Sequence, residues 1–163
     1  MARKNDYQTA EPELILAELC RSIPKEWTIW EPCAGAGRMA AGLRAMGYRV
    51  LSTDISEGCD FMKYEPKEAY DAIVTNPPFN LSLECMLRAD ELGKPWAFLL
   101  PISKLEGQKK QEYYRTIELN LLMLRRRPKF LTSAEKGLPS PIRTPCAWFC
   151  CGIALPEPIT FER

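Results

Sequence analysis

The chain of 163 residues contains no histidine, and this absence limits the chemistry that the sequence can support. Acid–base catalysis and nucleophile activation most often use an imidazole, so a histidine-dependent triad is excluded. The seven cysteines form no CxxC pair, and we interpret them as reduced thiols in mostly apolar surroundings. We therefore expect no metal site, although Cys146 with Cys150 or Cys151 stays open as a ligand pair.

The sequence also lacks a long apolar run and a marked charge of either sign. No stretch is long enough to span a membrane, and no signal-peptide pattern is present, so we expect a cytoplasmic protein without membrane contact. Lys and Arg total 22 against 21 Asp and Glu, so any basic surface for nucleic acid must be local. The length predicts a single domain over residues 1–163, with residues 1–10 as an extended arm.

Six short apolar stretches predict β-strands, and helical patterns separate them until the last two. The predicted strands are Trp27–Trp30, Tyr48–Ser52, Ala72–Thr75, Trp96–Leu100, Leu119–Leu124 and Ala147–Ala154, and the predicted helices are 11–22, 39–46, 81–92 and 108–117. This alternation predicts a three-layer α/β/α sandwich with a mostly parallel sheet. The last two strands would form an antiparallel pair at one edge, and residues 156–163 would be a loose end.

The strand Ala72–Thr75 ends in Asn76-Pro77-Pro78-Phe79, which is the most informative stretch of the chain. Two prolines cannot continue a sheet ladder, so the strand stops at Asn76, at the edge where open α/β sheets bind ligands. The Asn76 side-chain oxygen and the Pro77 carbonyl could each accept one N–H from an exocyclic nucleobase amine, which favours the pyramidal nitrogen needed for attack. Phe79, which we expect to be exposed, could stack on a base swung out of its helix. The alternative is an ordinary strand-ending turn.

A second loop at a strand end combines an acid with glycines. Glu31-Pro32 precedes Gly35-Ala-Gly37 and a predicted helix, a pattern that lets the backbone approach a ligand closely. Gly35-x-Gly37-x-x-Ala40 would also fit a dinucleotide fingerprint, but Glu31 would repel a pyrophosphate and favour an ammonium or a sulfonium. The next strand ends at Asp54, which is placed to bind ribose hydroxyls.

These two stretches carry a family resemblance. Asn76-Pro77-Pro78-Phe79 resembles the catalytic motif of the S-adenosylmethionine-dependent amino-methyltransferases, above all the small phage-type DNA N6-adenine enzymes, and Glu31–Gly37 resembles their motif I. The resemblance covers about residues 7–154 and implies a Rossmann-like class I methyltransferase fold with S-adenosyl-L-methionine as cofactor. It implies catalytic roles for Asn76, Pro77 and Phe79. It implies cofactor contacts from Tyr7, Thr9, Glu31, Pro32, Gly35, Gly37, Asp54, Ile55, Asp60, Phe61 and Asn76.

Two of these assignments have equal alternatives. Tyr7-Gln-Thr9 resembles the stretch that holds the carboxylate end of the cofactor in this family, but Ala10 replaces the family's proline, and a disordered arm fits as well. Asp60 with Phe61 resembles an acid–apolar pair at the cofactor's adenine, but Asp60 is also suited to capping a helix.

Basic residues mark a third candidate region, the long loop 125–145. If the preceding strand is parallel to its neighbours, Arg125–Lys129 would lie on the ligand edge and could contact phosphates. The alternative is a solvated charge run. We expect substrate contacts from Pro78, Phe79, Lys104, Arg126 and Lys129.

The sequence therefore predicts methyl transfer to the N6 amine of adenine in DNA. Sequence specificity is expected to be low, because no segment is large enough for a target-recognition domain, or to come from loop 125–145, a homodimer or a partner subunit. The same reaction on RNA, which is less favoured as a partner than DNA, or on a protein glutamine is one alternative. A catalytically silent cofactor-binding subunit is another. A dinucleotide oxidoreductase would leave Asn76–Phe79 unexplained.

Overall fold

A computed structural model of the chain describes residues 7–132 and 144–162. The strands in these ranges are β1 Tyr7–Thr9, β2 Thr28–Glu31, β3 Arg49–Ser52, β4 Ala72–Thr75, β5 Trp96–Pro101, β6 Asn120–Met123, β7 Phe130–Thr132, β8 Cys146–Cys151 and β9 Ile159–Phe161. The α-helices are α1 Pro12–Leu16, α2 Arg38–Ala45, α3 Ser82–Glu91 and α4 Gln108–Tyr114. Short 3₁₀ helices lie at Leu19–Arg21, Ile55–Glu57, Phe79–Leu81 and Ile102–Leu105.

Seven strands form the central sheet in the order β3-β2-β4-β5-β8-β6-β9. β3, β2, β4 and β5 are parallel, β8 runs antiparallel to both of its neighbours, and β6 therefore points in the same direction as β5. The predicted mostly parallel sheet with an antiparallel strand is confirmed. Because β2, β4, β5 and β6 end on the same side, we call that side the carboxyl edge.

Helices cover both faces of the sheet, which confirms the three-layer sandwich. On one face, residues of α1 and α2 such as Leu16 and Leu43 share a buried cluster with Ile29 and Val74. On the other face, α3 and α4 contribute to a second buried cluster around Trp30 and Phe98. β4 and β5 are buried along their whole length, as expected for parallel strands with helices on both sides.

The helix predicted over 11–22 is split. α1 ends at Leu16, and a 3₁₀ turn covers Leu19–Arg21. Gly42 of α2 comes close to α1 here, since a Cβ on Gly42 would lie 3.0 Å from the Leu16 Cδ1 atom. In the described ranges, no helix has the combination of length and apolar character that a membrane crossing requires.

The edge of the sheet differs from the prediction. The last two predicted strands do pair antiparallel, but β8 lies inside the sheet between β5 and β6, because Cys146–Cys150 is buried on every residue and needs a neighbour on each side. The segment 156–163 is not a loose end over its whole length. Its residues Ile159–Phe161 form β9, which pairs parallel with β6 and occupies the edge.

Tyr7–Thr9 of the predicted N-terminal arm form β1, so the disordered alternative does not fit these three residues; residues 1–6 lie outside the described ranges. β1 pairs antiparallel with β7 in a separate two-stranded ribbon, with Thr9 opposite Phe130. The Ala10 N–H donates to the Lys129 carbonyl at 2.8 Å, and the Lys129 ammonium lies 3.0 Å from a Glu11 carboxylate oxygen. The ribbon joins the arm to the start of the predicted long loop, whose residues 133–143 lie outside the described ranges.

Candidate active site

The glycine loop and the Asn76 turn lie side by side at the carboxyl edge. β2 and β4 are adjacent and parallel, with Ile29 opposite Ala72 and Trp30 opposite Ile73. The chain leaves β2 at Glu31 and leaves β4 at Thr75, so the two loops emerge next to each other. The sequence prediction that both lie at one ligand edge is consistent with this topology.

The glycine loop has a backbone that favours glycine at two positions. Gly35 has φ of 51° and Gly37 has φ of 76°, both in the left-handed region. The Gly37 N–H donates to the Ala34 carbonyl at 2.7 Å, and the Ala34 N–H donates to the Thr53 carbonyl at 3.1 Å. The loop is therefore folded tightly between the end of β2 and the segment after β3, directly before α2 begins.

Glu31 is a buried acid at the base of this loop, and Pro32 after it is also buried. Only 1% of Glu31 is exposed, and its Oε2 atom has no hydrogen-bond partner among the described residues. Burial raises the pKa of Glu31 to about 8, although a hydrogen bond from the Ala40 backbone and the charge of Arg44 oppose the rise. An unpaired buried carboxyl oxygen is costly, and a cation beside it would stabilise the ionised form.

The pKa of Asp54 is shifted in the opposite direction to that of Glu31. Its Oδ2 atom accepts the Gly35 N–H at 2.9 Å, and its Oδ1 atom accepts from the Ser56 N–H at 2.9 Å and the Ser56 hydroxyl at 2.7 Å. Partial burial opposes its charge, but these donors lower the pKa of Asp54 below its usual value. Asp54 therefore stays ionised and fixes the glycine loop, with about one of its four acceptor positions left for a ligand. Ile55, the next residue, is 50% exposed.

Asp60 and Phe61 are placed less clearly for a cofactor. The Asp60 Oδ1 atom accepts the Met62 N–H at 3.1 Å, which stabilises a turn over residues 61–63; no helix begins there, so the helix N-cap alternative is wrong. The Phe61 ring is buried in the core, with its centroid 5.3 Å from that of Trp30 and 6.4 Å from that of Phe98. Their contact with a cofactor stays a prediction.

The Asn76–Phe79 turn is partly enclosed. Asn76, Pro78 and Phe79 are half-buried and Pro77 is buried, so the expectation of an exposed aromatic is wrong. The Phe79 ring packs edge-to-face against the buried Phe130 of β7, with centroids 5.7 Å apart and an angle of 81° between the planes. The ribbon therefore supports one side of the turn, and part of the Phe79 ring remains accessible.

Two residues that the sequence did not single out connect the glycine loop to the turn. Cys33 lies near Thr75, the residue immediately before Asn76, and the buried Thr75 hydroxyl has no hydrogen-bond partner in the described ranges. Burial raises the pKa of Cys33, and the neighbouring Cys85 adds to the rise. Cys33 therefore acts as a neutral, packed side chain between the two loops. No sequence pattern indicated this contact, because a single cysteine forms no motif with a second residue at a defined spacing.

The remaining predicted residues lie around the same edge. The Thr9 side chain is 4% exposed, and its Oγ1 atom has no hydrogen-bond partner within the described ranges; the Tyr7 side chain lies outside the described residues. Arg126 is exposed, whereas Lys129 is paired with Glu11. Lys104 is half-buried after β5, and both burial and the nearby Lys110 lower its pKa.

Comparison with solved structures places this arrangement in a known fold. The chain superimposes on a type I restriction-modification system methyltransferase subunit from Streptococcus thermophilus with a TM-score of 0.62 and 12% identity, over 96% of this chain and 47% of that one. A modification subunit of a putative type I restriction enzyme from Vibrio vulnificus gives 0.51 and 11%, over 92% and 44%. A TehB-like SAM-dependent methyltransferase from Corynebacterium glutamicum gives 0.50 and 16%, over 88% of each chain.

The chain has the Rossmann-like class I methyltransferase fold. The predicted fold class is thereby confirmed. The chain spans about half the length of the two restriction-system subunits that it matches. No protein-family model and no curated protein sequence matches it.

Proposed function

We propose that this chain is an S-adenosylmethionine-dependent methyltransferase that methylates the N6 amine of adenine in DNA. One observation carries the proposal. The glycine loop after β2 and the turn Asn76–Phe79 after β4 leave neighbouring parallel strands at the carboxyl edge, and Cys33 of the loop lies near Thr75, the last residue of β4. A methyl donor in the glycine loop and an amine held by Asn76 would then meet at one edge of the sheet.

The residues of the glycine loop fit a cationic nucleotide-like cofactor. Glu31 offers a buried carboxyl oxygen without a partner in the described ranges, which suits an ammonium group. Gly35 and Gly37 leave the backbone open to close approach, and Asp54 with Ile55 would meet the ribose and the adenine ring. S-adenosylmethionine, when bound, supplies an electrophilic methyl group on a positively charged sulfur.

The Asn76 turn would prepare the amine for attack. The lone pair of an adenine N6 amine is delocalised into the ring, which makes the nitrogen a poor nucleophile. The Asn76 side-chain oxygen and the Pro77 carbonyl would each accept one N–H, and this geometry favours a pyramidal nitrogen with its lone pair available. Phe79, held by Phe130, would stack on the base with its accessible part. No histidine base is needed, because the methylated amine is acidic enough to release its proton to water.

DNA is the favoured substrate on two grounds. The Asn-Pro-Pro-Phe sequence resembles the motif of the DNA N6-adenine enzymes, and two of the solved structures with this fold are restriction-system modification or methyltransferase subunits. The chain spans about half of those subunits. Because both of those structures are described as subunits, we propose that a partner subunit or a second copy contributes to sequence recognition and that this domain alone has little specificity.

Transfer of a tritiated methyl group tests the proposal against its alternatives. The purified chain is incubated with labelled S-adenosylmethionine and, in separate reactions, duplex DNA, single-stranded DNA, RNA or a protein extract. We expect label in DNA. Label in RNA or in protein glutamine, with DNA unlabelled, would replace the substrate. If S-adenosylhomocysteine binds and no acceptor is labelled, the chain is a silent cofactor-binding subunit.

A further inference from the structure

Two lysines beside the Asn76 turn form a charged group that the mechanism above does not use. Lys104 lies in the 3₁₀ helix Ile102–Leu105, which follows β5, and Lys110 lies in α4. β5 is the parallel neighbour of β4, with Thr75 opposite Phe98, and it continues to Pro101, so the segment after β5 leaves the sheet at the same edge as the Asn76 turn. Both lysines therefore belong to the carboxyl edge.

The segment that carries these lysines is fixed by hydrogen bonds. The Tyr114 hydroxyl of α4 donates to the Lys104 carbonyl at 3.0 Å, which attaches the 3₁₀ helix to α4. The Lys110 ammonium donates to the Glu106 carbonyl at 3.3 Å, so its chain folds back over the turn at Gly107. Leu105 packs against the same buried cluster as Leu81, which ends the 3₁₀ helix that follows the Asn76 turn. The two side chains are consequently held on the same small piece of surface.

No carboxylate neutralises either lysine within the described ranges. The ion pairs found there join Arg21 to Glu18, Arg88 to Glu91 and Lys129 to Glu11. The nearby acid of α4, Glu112, accepts a hydrogen bond from Gln108 instead. Both lysines are half-buried, and burial together with the nearby charge of Lys110 lowers the pKa of Lys104.

An anion between two such ammonium groups would offset the repulsion between their like charges. In the basic segment Arg125–Lys129, Lys129 is less suited to binding a phosphate, because its ammonium group already lies 3.0 Å from a Glu11 carboxylate oxygen. Lysine ammonium groups bind phosphate as point charges, and nucleic-acid backbones present one phosphate per nucleotide.

We propose that Lys104 and Lys110 together bind one backbone phosphate of the nucleic-acid substrate, beside the base that enters the Asn76 turn. This inference rests on the proposed function for the class of substrate. It assigns Lys110 a role that the sequence did not indicate, and it places a phosphate contact on the β5 side of the turn, opposite the ribbon that carries Lys129.

The salt dependence of DNA binding tests the site without any methyl transfer. Binding of a fluorescein-labelled duplex is measured by anisotropy between about 50 and 200 mM salt, a range over which phosphate contacts change affinity strongly. The Lys104→Gln/Lys110→Gln double variant should flatten the slope of log affinity against log salt by about 0.9, the value for one phosphate on duplex DNA. Lys104→Arg should retain the slope of the unmodified chain.

Lys109→Gln is the matched control, since Lys109 is an exposed lysine on the same helix. It removes one positive charge from α4, as Lys110→Gln alone would, and should leave the slope unchanged. An unchanged slope in the double variant would overturn the site, and so would an equal change with Lys109→Gln, which would mean a general charge effect. Thermal melting of each variant checks that the fold is kept.

The outcomes of the binding and transfer experiments separate the two proposals. If the double variant flattens the slope but no DNA is methylated, the phosphate site stands and the proposed reaction fails. If DNA is methylated and the slope is unchanged in the double variant, the reaction stands and this site is refuted. Lysine-dependent binding of RNA with no binding of the duplex would support a phosphate site and contradict DNA as the substrate.

Discussion

The protonation of Glu31 provides a sharp prediction about cofactor binding. Its carboxyl is 1% exposed, and burial raises its pKa from an ordinary value of 4.5 to about 8. Below pH 8 the unliganded protein therefore holds Glu31 mostly as the neutral acid. A bound cation favours the carboxylate, so binding below pH 8 must release a proton, and its affinity must rise with pH.

The size of the effect on cofactor affinity depends on how far the pH lies below the pKa of Glu31. At pH 6, two units below about 8, ionising Glu31 costs about 2.7 kcal/mol, or about a hundredfold in affinity. The dissociation constant for S-adenosylmethionine should fall by up to about tenfold per pH unit between about 6 and 8 and then level off. Replacing Glu31 with Gln keeps the shape and the hydrogen-bonding capacity of the side chain and removes its titration.

Isothermal titration calorimetry at several pH values measures this directly. Titrations at pH 7 in two buffers of different ionisation enthalpy give the number of protons released on binding. We expect close to one proton for the unmodified chain and about one fewer for Glu31→Gln, so the difference between the two cancels any titration of the ligand itself. Equal proton release and equal pH slopes in the two proteins would refute the assignment of Glu31 as the cation-binding acid.

The same pKa predicts how stability depends on pH. An acid whose pKa is raised in the folded state binds its proton more tightly there than in the unfolded chain, so its contribution to stability is greatest below pH 4.5 and is lost as pH rises to about 8. The loss should reach a few kcal/mol, and Glu31→Gln should therefore melt higher than the unmodified chain at pH 8 but not at pH 4.5. A constant difference across this range would contradict the raised pKa.

Three further predictions concern the turn and the substrate edge. Asn76→Ala should lower the turnover number at least about tenfold, because a preorganised acceptor is lost, with little change in cofactor affinity. Replacing Arg125–Arg127 with Ala should flatten the salt dependence of DNA binding by up to about three phosphate equivalents. Phe130→Leu should raise the KM for DNA more than it changes cofactor affinity, because the Phe79 ring loses its edge-to-face support.

Each of these has an outcome that would count against it. Unchanged turnover would remove Asn76 from the mechanism, and an unaltered salt slope would place the three arginines away from the substrate. For Phe130, the control is Phe149→Leu, which replaces an equally buried phenylalanine in β8, a strand separated from β4 by β5. If both variants change the KM for DNA equally, the effect is general destabilisation rather than support of Phe79.

The parts of the fold that the sequence predicted well are those with a continuous local pattern. β4 and β5 are runs of buried apolar residues closed by prolines, and the glycine loop is bounded by a strand and a helix, so their positions follow from neighbouring residues alone. Their convergence at one edge then follows from the parallel arrangement. The residues with a candidate role in chemistry lie mostly in these stretches.

The parts that the sequence missed depend on contacts between distant residues. β1 and β7 are three residues each and pair across more than a hundred positions, so neither shows an alternation of its own. The ion pair of Lys129 with Glu11 and the packing of Phe130 on Phe79 arise from that pairing. The position of β8 between β5 and β6 likewise depends on which strands pair with each other, and no local sequence pattern indicates that pairing.

The central claim is that the amide oxygen of Asn76 and the carbonyl of Pro77 hold an adenine amine where a methyl group reaches it. The most direct measurement is chromatographic identification of the labelled nucleoside after tritiated methyl transfer to duplex DNA and enzymatic digestion. The account predicts that the label elutes with N6-methyldeoxyadenosine and disappears with Asn76→Ala. Label in a different nucleoside, or the same yield of N6-methyldeoxyadenosine from the Asn76→Ala protein, would contradict it.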